Sequence, residues 1–170
     1  SLLGSAPPAF LKNGSFVRFF DAEGKRVRNG FFAFDSRFRG GAWFATHKDV
    51  TGGGAADSVS VSQGRVLVKK DNGKVSGRWY PYGAGVRNLS VAIGDVSGDG
   101  VSDIVTAPYT DMAGPVRGYN FRGNELFSFF PDSQNPRYGY TVAVCRGRSD
   151  KQSEIVVGNR KGLAPFVHVY

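Results

Sequence analysis

Cysteine and histidine are almost absent from this sequence. Its one cysteine, Cys145, leaves no partner for an intrachain disulfide and too few thiolates for a cysteine-based zinc site. The two histidines, His47 and His168, offer no spacing that indicates a Ser-His-Asp or Cys-His catalytic set. We expect Cys145 to be a buried structural thiol, and both histidines to have structural or surface roles.

Long hydrophobic runs are also missing. No apolar stretch approaches the roughly 20 residues of a membrane-spanning helix, so we expect no membrane span. No window shows a helical period. The first residues, Ser1-Leu2-Leu3-Gly4, include neither an initiator methionine nor a charged segment, which indicates a processed or excised chain with any targeting segment outside it.

Acidic residues are outnumbered by basic ones. The 14 Asp and Glu residues face 22 Lys and Arg residues, which gives a net charge of +8. A basic balance favours anionic partners such as an acidic polysaccharide, a nucleic acid or a membrane surface. The basic residues are scattered, however, and the densest cluster, Lys25-Arg26-Val27-Arg28, is only four residues long. A generally positive, solubilising surface is the simpler interpretation, and nucleic acid is disfavoured as a partner.

Glycine and aromatic residues, in contrast, are plentiful. The 170 residues include 24 Gly and 14 Phe, and 41% of them are hydrophobic, which is ample for a folded core. Glycine in this amount, mixed with Val, Phe and Tyr, is typical of many short strands joined by tight turns.

Segments of strand character recur about every 50 residues, a period typical of repeat architectures. They lie at 16–20, 66–70, 116–120 and 166–170, and the first three run into glycine-bearing turns. An aromatic pair follows each turn, at 31–32, 79–80 and 129–130; we expect these pairs to form core between repeats rather than a sugar-stacking platform. Two further strands are predicted in each unit, at 43–46, 90–93 and 141–144, and at 57–61, 103–106 and 154–157.

Four short strands per 40–50 residues are the signature of a β-propeller blade. The predicted fold class is therefore all-β, with blades of four antiparallel strands and about three blades in residues 1–170. The approximate repeats are 16–65, 66–115 and 116–165, and residues 1–15 and 166–170 supply strands shared with neighbouring blades. Three blades do not close a ring, since propellers have four to eight. We expect further blades outside this chain, or self-association.

The most informative motif is GDVSGDGVSDI at 94–104. We define residues 95–103 as the second loop and count Asp95 as its position one. Carboxylates stand at positions one, five and nine: Asp95, Asp99 and Asp103. Ser97 adds a hydroxyl at position three, Val101 offers its backbone carbonyl at position seven, and glycines at positions four and six permit tight winding. Calcium prefers six to eight such hard oxygen ligands.

An EF-hand is excluded, because it would need a glutamate at position twelve and flanking helices. Position twelve is Thr106, and both flanks are predicted strands. A simple polar turn is the alternative interpretation. A catalytic use of the same acids is disfavoured, because carboxylates that converge on calcium are neutralised.

The motif GDVSGDGVSDIV resembles the metal loop of FG-GAP repeats, also called VCBS-type repeats, which occur in integrin α-subunit propellers and bacterial surface proteins. Segment 31–41 is similar to the stretch before that loop in bacterial members, and segments 115–117 and 165–167 are similar to the strand after it. The resemblance implies a calcium ion held by Asp95, Ser97, Asp99, Val101 and Asp103. Serine at position three departs from the family pattern and removes one charge.

The two equivalent loops depart further. In the first loop, residues 49–57, Asp49, Thr51 and Asp57 are kept but Gly53 replaces the middle acid, which predicts a weak site at best. In the third loop, residues 146–154, Arg146 and Arg148 occupy ligand positions, while Asp150 and Glu154 occupy the places of Asp99 and Asp103. We expect no calcium there. Either arginine–carboxylate ion pairs replace the ion, or the loop has decayed and its charges face water.

These observations predict a calcium-stabilised extracellular or cell-surface binding and adhesion module without catalytic activity of its own. Its expected ligand is a protein or an acidic polysaccharide. One alternative is an accessory propeller of a secreted carbohydrate-active enzyme, and another is the subunit of a self-assembling surface filament.

Overall fold

The fold consists of short antiparallel strands joined by turns. The computed structural model describes residues 16–34, 37, 43–46, 49–109, 113–131, 139–147, 152–159 and 166–170. Within these ranges the chain forms thirteen strands and no helix. The strands are β1 (Phe16–Phe20), β2 (Arg26–Phe32), β3 (Trp43–Thr46), β4 (Ser58–Ser62), β5 (Arg65–Lys69), β6 (Val75–Trp79), β7 (Leu89–Gly94), β8 (Asp103–Pro108), β9 (Val116–Tyr119), β10 (Glu125–Phe129), β11 (Tyr140–Arg146), β12 (Ser153–Asn159) and β13 (Val167–Val169).

The strands form four separate sheets, each with neighbours in chain order. The first sheet is β1–β2, the second β3–β4–β5–β6, the third β7–β8–β9–β10, and the fourth β11–β12–β13. Every pairing is antiparallel. The all-β prediction is confirmed. The prediction of about three four-stranded units corresponds to two four-stranded sheets, flanked by one of two strands and one of three.

The predicted strands are present. Each segment that the sequence analysis assigned to a strand overlaps a strand of the structure, with ends that differ by at most two residues. The two members of each aromatic pair differ in burial. The first member of each pair packs into the core, whereas the second is largely exposed: Phe32 at 42%, Tyr80 at 46% and Phe130 at 54%. The expectation of core packing therefore holds for one residue of each pair.

Each sheet packs face to face against the next sheet in the chain. Strand β7 lies against β3 on one side and against β11 on the other, so the first strands of the second, third and fourth sheets are adjacent. Small β-branched and aliphatic side chains fill the spaces between sheets. Val59, Val66 and Val68 pack with Leu89 and Ile104 between the second and third sheets.

The same kind of packing recurs at the other two interfaces. Val105 and Val116 pack with Tyr140 and Val157 between the third and fourth sheets. Ala33 and Phe34 pack against Leu67 between the first and second sheets. Burial of these apolar side chains supplies the main favourable term in folding.

A hydrogen bond between sheets recurs at one position in the second, third and fourth sheets. This position is the last residue of the third strand in each sheet, or the residue directly after it. Tyr119 and Tyr170 both lie opposite the residue that follows the long loop of their own sheet, Ile104 and Ile155 respectively. Tyr119 donates its hydroxyl to the carbonyl of Pro81 at 3.3 Å. Tyr170 donates to the carbonyl of Pro131 at 3.0 Å.

Lys69 occupies the same position in the second sheet, opposite Ser58. It donates its ammonium group to the carbonyl of Phe32, at 3.2 Å. At each of the three interfaces, one side chain therefore ties the third strand to the end of the preceding sheet.

Close packing between the second and third sheets depends on Gly77 in β6. A Cβ atom added at Gly77 would overlap the backbone carbonyl of Phe121, which cannot move aside as a side chain could. A Cβ atom added at Gly85, in the connection from β6 to β7, would meet nothing within 4 Å.

We therefore predict that Gly77→Ala lowers the free energy of unfolding by about 1–3 kcal/mol, the usual cost of overpacking. Gly85→Ala is the control and should change stability by less than about 1 kcal/mol. Urea denaturation followed by fluorescence measures both. Equal stability of the two variants would contradict the close approach of the two sheets.

Candidate functional site

The second loop is wound around the carboxylate of Asp95. One carboxylate oxygen, Oδ1, accepts the backbone N–H groups of Gly98 at 2.7 Å and Asp99 at 3.1 Å. The other, Oδ2, accepts the N–H of Gly100 at 2.9 Å. Gly98 and Gly100 have φ values of 80° and 86°, a backbone conformation that favours glycine. The carboxylate at position one thus holds the backbone of positions four to six in a tight turn.

Asp103, at position nine, closes the same loop from its other end. Its side chain is only 3% exposed, and its Oδ2 accepts the N–H groups of Val96 at 3.1 Å and Ser97 at 2.8 Å. Burial raises the pKa of the Asp103 carboxyl, and the nearby charge of Asp99 also raises it. The hydrogen bonds from Ser97 and Val96 oppose this rise without cancelling it.

The first loop has nearly the same conformation as the second. Asp57 is 2% exposed, and its Oδ2 accepts the N–H groups of Val50 at 3.1 Å and Thr51 at 3.0 Å, as Asp103 does at the same positions. Asp49 accepts the N–H groups of Thr51 and Gly53, both at 3.0 Å, and of Gly54. These bonds, with the one from Gly54 foremost, lower the pKa of the Asp49 carboxyl.

The two loops differ at position five. Asp99 accepts only one N–H bond among those described, from Val101 at 2.8 Å, and it is exposed. Gly53 stands at that position in the first loop and has no side chain to offer. The first loop therefore keeps the shape of the second without its exposed acid.

The third loop is described only at its ends. Cys145 pairs with Glu154 as Gly94 pairs with Asp103, so the strands on either side have the same register as in the third sheet. The ladder then continues by one pair, from Arg146 to Ser153. Arg148 and Asp150 lie outside the described residues, and the predicted replacement of an ion by arginine–carboxylate pairs stays a prediction. Cys145 is exposed, so the expectation of a buried thiol is wrong.

Successive loops are joined by backbone hydrogen bonds. Ser102, at position eight of the second loop, donates its N–H to the carbonyl of Asp49 in the first loop, at 3.1 Å. Ser153, at position eight of the third loop, donates its N–H to the carbonyl of Asp95, at 2.7 Å. The side chain of Gln152 adds a bond to the carbonyl of Val96, at 2.5 Å. The three loops form one continuous hydrogen-bonded edge.

The carboxylates predicted to bind calcium do not form a ready-made metal cluster in the described residues. In the described part of the chain, no group of three or more His, Cys, Asp or Glu side chains stands close enough to hold a metal ion. The donor chemistry of the second loop nevertheless suits a hard cation. An ionised carboxylate has about four acceptor positions, and Asp99 uses one of them. Calcium would take the remaining acceptor positions of Asp95, Asp99 and Asp103, with Ser97 and the Val101 carbonyl as predicted.

A second polar cluster, which sequence reasoning missed, lies between the second and third sheets. Tyr82 donates its hydroxyl to the carbonyls of Pro115 at 2.7 Å and Thr106 at 2.9 Å. Burial raises the pKa of Tyr82 well above its usual range, so this hydroxyl remains a donor. Arg117 donates to the carbonyl of Pro81 at 2.9 Å and pairs with Glu125 at 3.4 Å. Apart from the ion pair with Glu125, these side chains bond to backbone carbonyls, which indicates a structural role.

Comparison of the chain with protein-family models, with curated proteins and with solved structures finds no match. The resemblance to FG-GAP repeats therefore stays a prediction. None of the described segments is a helix of the length and apolarity needed to cross a membrane.

The opposite pKa directions of Asp103 and Asp49 predict a specific pH response. In calcium-free buffer, the Asp103 carboxyl should titrate above 3.8 and the Asp49 carboxyl below 3.8. The raised pKa of Asp103 favours folding at low pH, and this contribution is lost as pH rises through the folded-state pKa. The lowered pKa of Asp49 favours folding above the unfolded-state pKa, and this contribution is lost as pH falls. Carbon-detected NMR titration of the two carboxyl groups measures the order, and the reverse order would contradict the hydrogen-bonding described.

Proposed function

We propose that this chain is a β-propeller segment that binds calcium in its second loop and serves as an extracellular or cell-surface binding module without catalysis of its own. The observation that carries the proposal is the second loop. Its acids at positions one and nine organise the backbone, while the acid at position five is left exposed at the centre of the loop.

The sheet arrangement supports the propeller. The second and third sheets are four-stranded antiparallel meanders, and their first strands lie side by side with the first strand of the fourth sheet. Radial repetition of such sheets around an axis is how propellers are built. The recurrence of equivalent strands about every 50 residues agrees with one sheet per repeat.

The charges support a cation in the second loop. Three carboxylates lie within nine residues, and the charge of Asp99 already raises the pKa of Asp103. A divalent cation would remove this repulsion. Calcium sites of extracellular modules can have dissociation constants of about 10⁻⁴–10⁻³ M, which suits a setting where calcium is near millimolar.

We predict that calcium raises the melting temperature and that Asp99→Ala removes the effect. If the dissociation constant is about 10⁻⁴ M, 10 mM calcium stabilises the folded state by about 2.7 kcal/mol. For a chain of this size, that corresponds to a rise of roughly 5–10 °C. Asp99 is the suitable position because it makes few structural bonds, whereas loss of Asp95 or Asp103 would unwind the loop itself. Scanning calorimetry with 10 mM calcium and with excess chelator measures the difference.

Asp71→Ala is the matched control. Asp71 is also exposed and also accepts one local N–H bond, from Asn72 at 2.8 Å, but it lies outside all three loops. This variant should keep the full calcium response. Wild-type protein that melts at the same temperature with calcium and with chelator would refute the calcium site.

Self-assembly is the second candidate function, and the edge of the fourth sheet favours it. Among the described strands, β13 pairs with β12 alone, and Val167 and Val169 are 70% and 58% exposed. The second and third sheets each have a fourth strand at the equivalent edge, namely β6 and β10. An open apolar edge strand is a template for pairing with another chain.

We predict that the purified chain forms dimers or larger species, and that the double variant Val167→Lys/Val169→Lys is monomeric. Lysine on an edge strand opposes pairing because like charges meet across the new ladder. Size-exclusion chromatography with light scattering measures the mass of both proteins. Lys25→Ala, at a distant turn, serves as a control and should assemble like the wild type. A monomeric wild-type chain at high concentration would refute assembly through this edge.

A further inference from the structure

A cavity of ≈ 460 Å³ lies between the first and second sheets. Its apolar wall is formed by Phe19, Phe31 and Phe32 of the first sheet. The opposite wall is polar and comes from the second sheet, with Lys69 at the end of β5 and the turn that follows it at 70–73. Its volume falls within the range of about 300–1,000 Å³ that is typical of small-molecule sites.

The equivalent space between the second and third sheets is filled by aromatic side chains. Tyr119, which corresponds to Lys69, lies with its ring centroid 5.6 Å from that of Trp79. The turn that follows β9 lies directly on Trp79, since a Cβ atom added at Gly123 would come within 2.9 Å of the indole. In the same turn, the backbone carbonyl of Phe121 presses against Gly77.

The space between the third and fourth sheets also contains an aromatic contact. The ring of Tyr170, again at the position of Lys69, lies 4.5 Å from the ring of Phe129. The cavity that remains there is smaller, at ≈ 310 Å³. Two of the three interfaces thus place a tyrosine ring where the first interface has the flexible side chain of a lysine.

The turn over the first interface also stands further away. Asp71 replaces Phe121, and a Cβ atom added at Gly73, the counterpart of Gly123, would meet nothing within 4 Å. Phe44 of the second sheet packs on the rings of Phe19 and Phe31, but the position of Tyr119 and Tyr170 holds no aromatic side chain beside this cavity. From these equivalences we infer that the cavity between Phe31 and Lys69 binds a ligand that combines an aromatic ring with a carboxylate.

The charge of the polar wall selects the carboxylate. Lys69 and Lys70 contribute two positive charges, against the single negative charge of Asp71. Partial burial lowers the pKa of Lys69, because its ammonium group loses part of its contact with water. Its described hydrogen-bond partner is one neutral carbonyl. A carboxylate beside it would provide a charge-assisted hydrogen bond, which is stronger than the bond to a neutral carbonyl.

Asn29 and Asn72 lie at the margin of the cavity and offer amide groups that can orient the ligand. The aromatic ring would stack beside Phe31 in an offset or edge-to-face arrangement, as Tyr119 does beside Trp79. An aromatic side chain close to a carboxylate in a partner protein would meet the same requirement as a free aromatic acid.

The test uses 3-phenylpropionate as the probe, with two analogues that separate its parts. The amide 3-phenylpropanamide keeps the ring and lacks the charge, and propionate keeps the charge and lacks the ring. Isothermal titration calorimetry on the full chain should show that each analogue binds at least tenfold more weakly than 3-phenylpropionate, since each lacks one of the two contacts. D-Glucuronate is included as an acidic sugar and should also bind more weakly.

Two variants locate the site. The double variant Lys69→Tyr/Asp71→Phe introduces the residues found at the equivalent positions of the next interface, Tyr119 and Phe121. It should abolish binding while leaving the fold intact. Lys69→Met removes the charge alone, so it should weaken 3-phenylpropionate about tenfold and leave the amide unchanged. Arg122→Asn removes one positive charge from the corresponding turn of the third sheet and should bind like the wild type.

Several outcomes would overturn the inference. They are absence of binding to the wild type, equal affinity for the acid and its amide, unchanged affinity in Lys69→Met, and tighter binding of D-glucuronate than of 3-phenylpropionate. This inference deepens the proposed binding function, and melting curves with calcium and with chelator on the same samples keep the two apart. A calcium response without probe binding refutes the aromatic-acid site alone, and probe binding without a calcium response refutes the calcium site alone.

Discussion

The hydrogen bond that joins each loop to the next is the contact on which the rest of the arrangement depends. It runs from the N–H at position eight of one loop to the carbonyl at position one of the loop before it. Asp95 therefore has two tasks. Its side chain winds the second loop, and its backbone carbonyl receives Ser153 from the third. A change in the winding of a loop also shifts the backbone carbonyl that bonds to the next sheet, because one residue makes both the side-chain and the backbone contact.

The acids at positions one and nine organise this edge through hydrogen bonds from the backbone. Asp57 and Asp103 are buried, and a buried carboxylate must be compensated by hydrogen bonds. Each receives two backbone N–H groups at its Oδ2. In the second loop the charge of Asp99 adds to the effect of burial in raising the pKa of Asp103, and in the first loop Gly53 stands at the position of that acid.

The sequence predicted the strands and the position of the loops well, because both depend on local patterns. Alternating β-branched residues and glycine turns mark each strand, and the spacing of acids marks the second loop. The first loop was expected to be a weak metal site at best, since Gly53 replaces an acid. Its backbone is nevertheless wound like the second, because positions one, four, six and nine set the shape and position five does not.

Other features could not be predicted because they depend on strand register and on the packing of different sheets. Cys145 was expected to be buried, yet it lies on the exposed side of β11, where its neighbours alternate between the two faces. The repeat aligns Lys69 with Tyr119, but Tyr170 joins the same position only when each side chain is placed opposite the residue after its own loop. The repeat spacing alone would place Val169 there, and no pattern indicates that these side chains bond to the preceding sheet.

The inter-sheet ties also have an evolutionary consequence. Each of them, whether from a third-strand side chain or from a loop amide, joins one sheet only to the sheet before it. Architectures held together by nearest-neighbour contacts can lengthen or shorten by whole units, since a duplicated unit brings both halves of its own joints. A gene of this kind can grow by tandem duplication, and each new copy can exchange a tyrosine for a lysine without disturbing the joints elsewhere.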